Sequence, residues 1–143
     1  MRKIMLVGKS GSGKTTLINH MEGVDMPQTK TQSIEVHNKF IDTPGEYLEH
    51  RYMYNALFVS AAQADIIALV EDPSSERMWM PPGFRFAFDK DVIGIITKID
   101  IANNDMIQAS LDRLSLAGAK EIFKVSAFTN IGIEELGKYI NNN

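Results

Sequence analysis

The residues best suited to chemistry lie near the start of the chain, in the run GKSGSGKT at positions 8–15. This run matches the pattern G-x-x-x-x-G-K-[ST] at every fixed position, directly after a short apolar stretch and at the start of an amphipathic one. Glycines let the backbone turn its N–H groups inward, and the following helix adds its positive end, so such a loop binds phosphate. Lys14 would reach the β- and γ-phosphates of a nucleotide, and the Thr15 hydroxyl would ligate Mg²⁺. The predicted phosphate-binding residues are Gly8, Lys9, Ser10, Gly11, Ser12, Gly13, Lys14, Thr15 and Thr16.

A second motif, D-T-P-G at positions 42–45, ends another short apolar stretch. Asp42 would hold Mg²⁺ through water opposite Thr15, and the Gly45 amide would donate to a γ-phosphate. Thr29 and Thr31 lie in the loop between the two motifs, and by position we predict that Thr31 completes the magnesium shell. A solvated loop hydroxyl is the alternative for that residue. The predicted metal ligands are Thr15, Thr31 and Asp42.

A third motif, T-K-I-D at positions 97–100, follows the continuously apolar run at 92–96. Asp100 would accept from N1–H and the exocyclic N2–H of guanine, while the stem of Lys98 covers the ring. Adenine has no donor at N1, so a buried Asp100 would be left unpaired beside it. That cost corresponds to a preference for guanine over adenine on the order of a thousandfold. The alternative is an ordinary helix N-cap at Asp100. The order of the motifs favours a guanine site formed by Thr97, Lys98, Asp100, Ser126 and Ala127, where the last residue's amide donates to guanine O6.

The composition excludes several other chemistries. The chain has 143 residues, of which 44% are hydrophobic and 23% charged, and its net charge is −3. Sequence-independent nucleic-acid binding requires a basic face, so no nucleic-acid partner is expected. The absence of cysteine rules out disulfides, a thiolate nucleophile and Cys-ligated zinc. No apolar run approaches the roughly 20 residues of a membrane span. We expect one soluble, cytoplasmic domain over residues 1–143, with no membrane partner.

Short apolar runs alternate with longer amphipathic stretches, which is typical of a parallel sheet with crossover helices. The runs at 4–7, 66–70 and 92–96 have the continuous apolarity of strands covered on both faces. The prediction is an α/β three-layer sandwich of the P-loop NTPase type, with a mostly parallel sheet of about six strands and helices on both faces. The other predicted strands are 32–38, 39–42 and 122–125, and the predicted helices are 14–21, 46–62, 103–116 and 131–140, with Gly23 and Gly118 at helix ends.

The segment from Met78 to Phe88 carries no motif, yet it holds the only tryptophan of the chain. Two prolines and a glycine rule out a long helix there. Phe84, Phe86 and Phe88 follow a strand-like spacing. One interpretation is a loop whose aromatic rings pack on the flank of the sheet. The other is a binding surface for a protein partner, because aromatic residues and methionine are enriched in interface cores.

The order of the motifs resembles that of the small P-loop GTPases related to translation factors, over residues 4–140. More narrowly, K-T-Q at 30–32, I-D-T-P-G-E-Y at 41–47 and P-P-G-F at 81–84 are similar to the EutP/PduV family. That resemblance implies a bacterial protein of ethanolamine or propanediol utilisation, with Mg²⁺ and GTP or GDP as ligands. It also implies association with a microcompartment shell or another pathway protein, for which the segment from Met78 to Phe88 is the candidate surface.

Three functions are compatible with the residues and the resemblance. The first is Mg²⁺-dependent guanine-nucleotide binding with slow GTP hydrolysis. The second is an ATP-dependent acetate kinase, because some members of the family are linked to that activity. The third is a nucleotide-binding targeting or structural module with negligible turnover. Asp100 favours the first over the second, since an ATP enzyme gains nothing from a carboxylate that recognises guanine.

The sequence departs from related GTPases at two positions. Thr97 stands where asparagine is usual and offers the phosphate loop one hydrogen-bonding group fewer, so we expect modest nucleotide affinity. Glu46 stands where many relatives carry a water-orienting glutamine, and its carboxylate beside a γ-phosphate would have to act as a base, be protonated or point away. The candidate catalytic residues are Lys14 and Glu46; Arg51, Arg77 and Arg85 are candidates for an internal arginine finger by sequence position alone.

Overall fold

The computed structural model of the chain describes residues 2–23, 34–37 and 39–141. Within these residues, strands form one sheet of six in the order β2-β3-β1-β4-β5-β6. β2 is antiparallel to β3, and every other neighbouring pair is parallel, which confirms the predicted architecture. The strands are β1 Ile4–Val7, β2 Glu35–His37, β3 Phe40–Asp42, β4 Ile66–Glu71, β5 Asp91–Ile96 and β6 Ile122–Lys124.

Helices cover both faces of this sheet. Gly23 and Gly118 end the first and fourth helices in the left-handed conformation, with φ of 70° and 101°. Both positions agree with the predicted helix ends. Within the described ranges, no helix is both long and apolar enough to cross a membrane. The α-helices of the described residues are α1 Lys14–Glu22, α2 Glu46–Glu49, α3 Tyr54–Ala61, α4 Asn104–Ala117 and α5 Ile133–Asn141.

The core has two halves, one on each face of the sheet. Alternate side chains of a strand point to opposite faces, so the continuously apolar strands supply both halves. Helices α2, α3 and α4 close one half, and α1 and α5 close the other. The buried strand residues of the first half include Met5, Val7, Ile67 and Leu69, and those of the second include Ile4, Leu6, Ile66 and Val70.

The predicted helix over 46–62 is wrong in its middle. His50 has an extended backbone (φ −122°, ψ 116°), which ends α2, and a 3₁₀ turn at Arg51–Met53 leads into α3. Neither glycine nor proline marks this break in the sequence. The residues just before the break make tertiary contacts instead. Leu48 is buried in the core, and Glu49 contacts the loop at 8–15.

The strand-like spacing of the phenylalanines is also misleading. Gly83 takes a left-handed conformation (φ 71°) and starts a 3₁₀ helix, Phe84–Ala87. Phe84 and Phe88 are both buried while Phe86 is 81% exposed, whereas a strand would place all three rings on one face. The ring of Phe84 packs 5.4 Å from that of Tyr54. The interpretation of a loop packed on the sheet's flank is therefore correct for two of the three rings.

Candidate functional site

Four loops that carry the motifs meet at one edge of the sheet. Strands β1, β3, β4, β5 and β6 are mutually parallel, so their carboxyl ends share this edge. The loop after a strand of such a sheet is the usual place for a ligand site. The phosphate loop follows β1, D-T-P-G follows β3, T-K-I-D follows β5 and Ser126-Ala127 follows β6.

The phosphate loop has the conformation that its glycines were expected to allow. Gly13, the residue before α1, has φ of 100°, a value that L side chains rarely adopt. Lys14 is buried inside the loop, where its Nζ donates to the carbonyls of Gly8 at 2.7 Å and Lys9 at 3.0 Å. Burial lowers the pKa of Lys14 to about 8, although the negative charges of Asp42 and Glu49 oppose this shift. Acceptors of the loop therefore hold the ammonium, although its burial favours the neutral form.

The side chains of Thr15 and Asp42 meet at the start of α1. Thr15 Oγ1 donates to Asp42 Oδ2 over 2.6 Å, which joins the first two motifs. A hydroxyl and a carboxylate are hard oxygen donors of the kind that Mg²⁺ prefers, with water and phosphate oxygens as the remaining ligands. This pair therefore fits magnesium. Thr31 lies outside the described residues.

Gly45 packs directly against the phosphate loop. A Cβ atom built on Gly45 would lie 2.0 Å from the backbone nitrogen of Ser10, so no larger residue fits without a shift. Ser10 also donates its amide and its hydroxyl to Glu49 Oε2, over 3.2 and 2.8 Å. Glu49 was not identified from the sequence, since it lies outside every motif. The motif D-T-P-G and helix α2 thus contact the same loop residue.

The T-K-I-D loop is bonded to the phosphate loop. Thr97 Oγ1 donates to the Ser12 carbonyl at 2.6 Å, so threonine keeps the link expected of it. Lys98 Nζ donates to the Gly11 carbonyl at 2.9 Å and forms an ion pair with Asp72 at 2.8 Å. Burial alone would raise the pKa of Asp72, but the hydrogen bonds from Lys98 and Ser74 outweigh it and hold that pKa below its usual range. Asp72, which stands next to the end of β4, is a second residue that sequence reasoning missed.

These loops line an open pocket. Ser126 Oγ donates to Asp100 Oδ1 at 2.8 Å and orients this exposed carboxylate at the pocket. Phe128, 88% exposed, also lines the pocket and was missed; an aromatic residue directly after Ser126-Ala127 is the signal that could have found it. Its ring could stack on a planar base. The predicted residues that line the pocket are Gly13, Thr16, Thr97, Lys98, Asp100 and Ala127.

The remaining candidates lie in different places. Glu46 is the first residue of α2 and is partly buried. Arg51 and Arg77 line a groove between the 3₁₀ turn after α2 and the segment from Met78, in which the Arg77 guanidinium lies 4.2 Å from the Trp79 ring centroid. Arg85 packs against Gly118, at the end of α4 and thus at the opposite edge of the sheet.

The strand order and the four loops define a P-loop GTPase fold. A bacterial selenocysteine-specific elongation factor, EF-Sec, matches with a TM-score of 0.70 and 25% identity, over 96% of this chain and 27% of that chain. A variant of Era from Aquifex aeolicus, bound to GDP and AlF4⁻, matches with a TM-score of 0.68 and 24% identity, over 98% of this chain and 56% of that chain. The chain thus corresponds to one part of each of these longer proteins.

Residues 1–142 match the model of the PduV-EutP family, described as "Ethanolamine utilisation - propanediol utilisation", and the chain belongs to this family. The propanediol utilization protein PduV of Citrobacter freundii is 43% identical over 99% of this chain and 94% of its own length. The probable acetate kinase EutP of Escherichia coli K12 is 30% identical over 98% of this chain and 89% of its own length. The resemblance inferred from the motifs is therefore confirmed.

Proposed function

We propose that this P-loop nucleotide-binding protein binds GDP and GTP with Mg²⁺ and hydrolyses GTP slowly, as part of ethanolamine or propanediol utilisation. The observation that carries the proposal is the pair of hydrogen bonds from Thr97 and Lys98 to the carbonyls of Ser12 and Gly11. They join the base pocket to the phosphate loop, so that one nucleotide can occupy both. Lys14 would then bind phosphate, and Thr15 and Asp42 would hold the metal ion, which would neutralise phosphate charge.

The carboxylate of Asp100 supports guanine as the base. Two donors on guanine match its two oxygens, whereas adenine presents an acceptor at N1 and would leave the carboxylate unpaired. Ser126 fixes one carboxylate oxygen, which reduces the ordering required when the base binds. Because Asp100 is exposed, the preference depends on how completely the base and Phe128 cover it.

Calorimetric titration of the purified protein with GDP, GTP, ADP and ATP in the presence of Mg²⁺ tests the proposal. We expect the guanine nucleotides to bind at least about a hundredfold more tightly than their adenine counterparts. Lys14→Ala should remove most of this affinity, because bound phosphates lose their main countercharge. Lys138→Ala, which removes the same positive charge at an exposed position of α5, is the matched control. Equal binding of GTP and ATP, or full affinity in Lys14→Ala, would refute the assignment.

A second candidate is phosphoryl transfer from ATP to acetate. The observation in its favour is that Arg51 and Arg77 line the same groove as Glu49, which contacts the phosphate loop. Guanidinium groups bind carboxylates well, and the Escherichia coli relative carries the name of a probable acetate kinase. Trapping of acetyl phosphate as a hydroxamate, with Arg51→Ala and Arg77→Ala as comparisons, tests this candidate. Formation of acetyl phosphate that both variants reduce would favour it over GTP hydrolysis.

The segment from Met78 to Phe88 is our candidate surface for a microcompartment shell or pathway protein in the bacterial cytoplasm. Phe86 is 81% exposed and lies 5.0 Å from the Arg85 guanidinium, while the other two phenylalanines belong to the core. An exposed aromatic ring with a neighbouring arginine is characteristic of interface anchors. Titration of purified shell protein against the parent and Phe86→Ser should give weaker binding by the variant. Binding without measurable GTP turnover would favour the targeting-module function.

A further inference from the structure

A carboxylate from helix α2 binds to the phosphate loop. Glu49 Oε2 accepts from the Ser10 amide at 3.2 Å and from the Ser10 hydroxyl at 2.8 Å. Glu49 lies 39 residues along the chain from Ser10 and is the last residue of α2. The amide that it engages belongs to a loop whose inward amides suit phosphate oxygens. An anionic side chain therefore interacts with one of the groups that an anionic ligand would use.

The neighbours of Ser10 identify which phosphate would lie there. Gly45, whose amide is the candidate γ-phosphate donor, packs so closely that an added Cβ would lie 2.0 Å from the Ser10 nitrogen. Glu49 also lies close enough to Lys14 for its charge to act on that ammonium. Gly45 is assigned to the γ-phosphate, whereas Lys14 is assigned to both the β- and the γ-phosphate. Because Gly45 and Glu49 both contact Ser10, Glu49 stands at the corner of the site where a γ-phosphate would lie.

We infer that Glu49 is a specificity-determining residue that makes the site prefer nucleoside diphosphates to nucleoside triphosphates. The inference rests on the proposed function, because it concerns the same nucleotide site. A diphosphate places no group at this corner, so Glu49 keeps its bonds to Ser10. A triphosphate brings a second anion to the corner, and the repulsion between the two anions displaces the carboxylate and with it the end of α2.

The fluorescence of Trp79 can report the displacement of Glu49. Glu49 lines a groove together with Arg51, Arg77 and Trp79, and Trp79 is the only tryptophan of the chain. Movement of the carboxylate out of the phosphate loop changes the electrostatic environment of this groove. The emission of Trp79 in the parent protein should therefore distinguish triphosphate from diphosphate without any substitution.

The first experiment compares Glu49→Gln with the parent by calorimetry, using GDP and the non-hydrolysable analogue GppNHp with Mg²⁺. Glutamine keeps the shape and an acceptor for Ser10 but removes the charge, so we expect the affinity for GppNHp relative to GDP to rise about tenfold or more. Glu135→Gln, an exposed change on α5, removes the same charge elsewhere and should leave the ratio within about twofold. If Glu49→Gln still binds both nucleotides and its ratio of GppNHp to GDP affinity is unchanged, the inference about Glu49 is overturned but the proposed function is not. Failure of the parent to bind either nucleotide overturns the proposed function as well.

The second experiment needs no variant and therefore does not depend on the folding of one. The parent is titrated with GDP and with GppNHp while the emission of Trp79 is recorded. A shift with GppNHp that exceeds the shift with GDP supports displacement of Glu49. Identical shifts at saturation with both nucleotides show that Glu49 does not respond to the third phosphate and contradict the inference.

Discussion

The charge of Lys14 depends strongly on its buried position in the phosphate loop. Burial lowers its pKa to about 8, and bound phosphates would raise it again because they favour the ammonium. At about pH 8.5 much of the Lys14 in the ligand-free protein is neutral, whereas at about pH 7 nearly all of it is charged. Nucleotide binding should therefore take up more protons at the higher pH. Calorimetry in two buffers of different ionisation enthalpy measures this uptake, and equal uptake at both pH values would contradict the lowered pKa.

Asp100 allows a test of base recognition at a single atom. Asp100→Asn replaces one carboxylate oxygen with an NH₂ group, which repels the guanine N2 amine but can donate to the C2 oxygen of xanthine. We expect GTP binding to weaken by about a hundredfold and xanthosine triphosphate to become the better ligand. Competition binding with the two nucleotides measures the change. Unaltered GTP affinity would mean that Asp100 does not contact the base; it does not cap α4 either, because Asn103 is the N-cap of that helix.

Phe128 is the aromatic neighbour of the same pocket. If its ring stacks on the base, Phe128→Ala should weaken GDP and GTP equally, by about tenfold, because stacking is independent of the phosphates. Leu116→Ala, which truncates an exposed apolar residue on α4, provides the comparison. The same titrations measure both variants. Loss of affinity for only one of the two nucleotides would argue against stacking.

At the scale of elements, the substitution Gly45→Ala adds one methyl group to the close contact between D-T-P-G and the phosphate loop and should disrupt it. Gly45 has ordinary backbone angles (φ −58°), so Gly45→Ala strains no torsion, yet its Cβ would collide with the Ser10 backbone. We expect lower thermal stability and at least tenfold weaker triphosphate binding. Gly137→Ala, with open space around the added methyl group in α5, should be neutral or stabilise by about 0.5–1 kcal/mol. Thermal unfolding of both variants measures the contrast.

The sequence predicted the elements whose signals are local. Continuous apolar runs located the central strands, and glycines marked the ends of α1 and α4. The structure brings Lys14, Thr15 and Asp42, which the motifs singled out, to one edge of the sheet. The break at His50 and the contact of Glu49 with Ser10 could not be predicted, because both depend on tertiary contacts between segments far apart in sequence. The 3₁₀ helix at Phe84–Ala87 was missed because three aromatic residues two apart fit a strand as well as a turn with one exposed ring.

For the whole molecule, the distribution of arginines bears on catalysis. Phosphoryl transfer requires a water molecule in line with the leaving group and neutralisation of the developing charge. Arg113 forms an ion pair with buried Glu71, and Arg2 lies 4.7 Å from the ring centroid of Tyr139. Arg85 packs at the opposite edge of the sheet, and the Arg51 and Arg77 groove lies beyond Glu49. Among the described residues, neutralisation at bound phosphates would therefore depend on the phosphate-loop lysines, Lys9 and Lys14, and on a metal ion if Thr15 and Asp42 hold one.

The isolated protein should for this reason hydrolyse GTP slowly, on the order of 10⁻² s⁻¹ or below. Glu46 is the first residue of α2, directly after Gly45, and its negative charge is stabilised by the positive end of that helix. If that is its role, Glu46→Gln should leave the single-turnover rate unchanged or raise it slightly, because a repulsion near the γ-phosphate is removed. A general base in that position would instead lose roughly 10²-fold or more in rate with the same change. Glu135→Gln controls for the loss of one charge. A fall of that size in Glu46→Gln alone, or a parent rate above about 1 s⁻¹, would mean that the chain carries its own complete catalytic machinery.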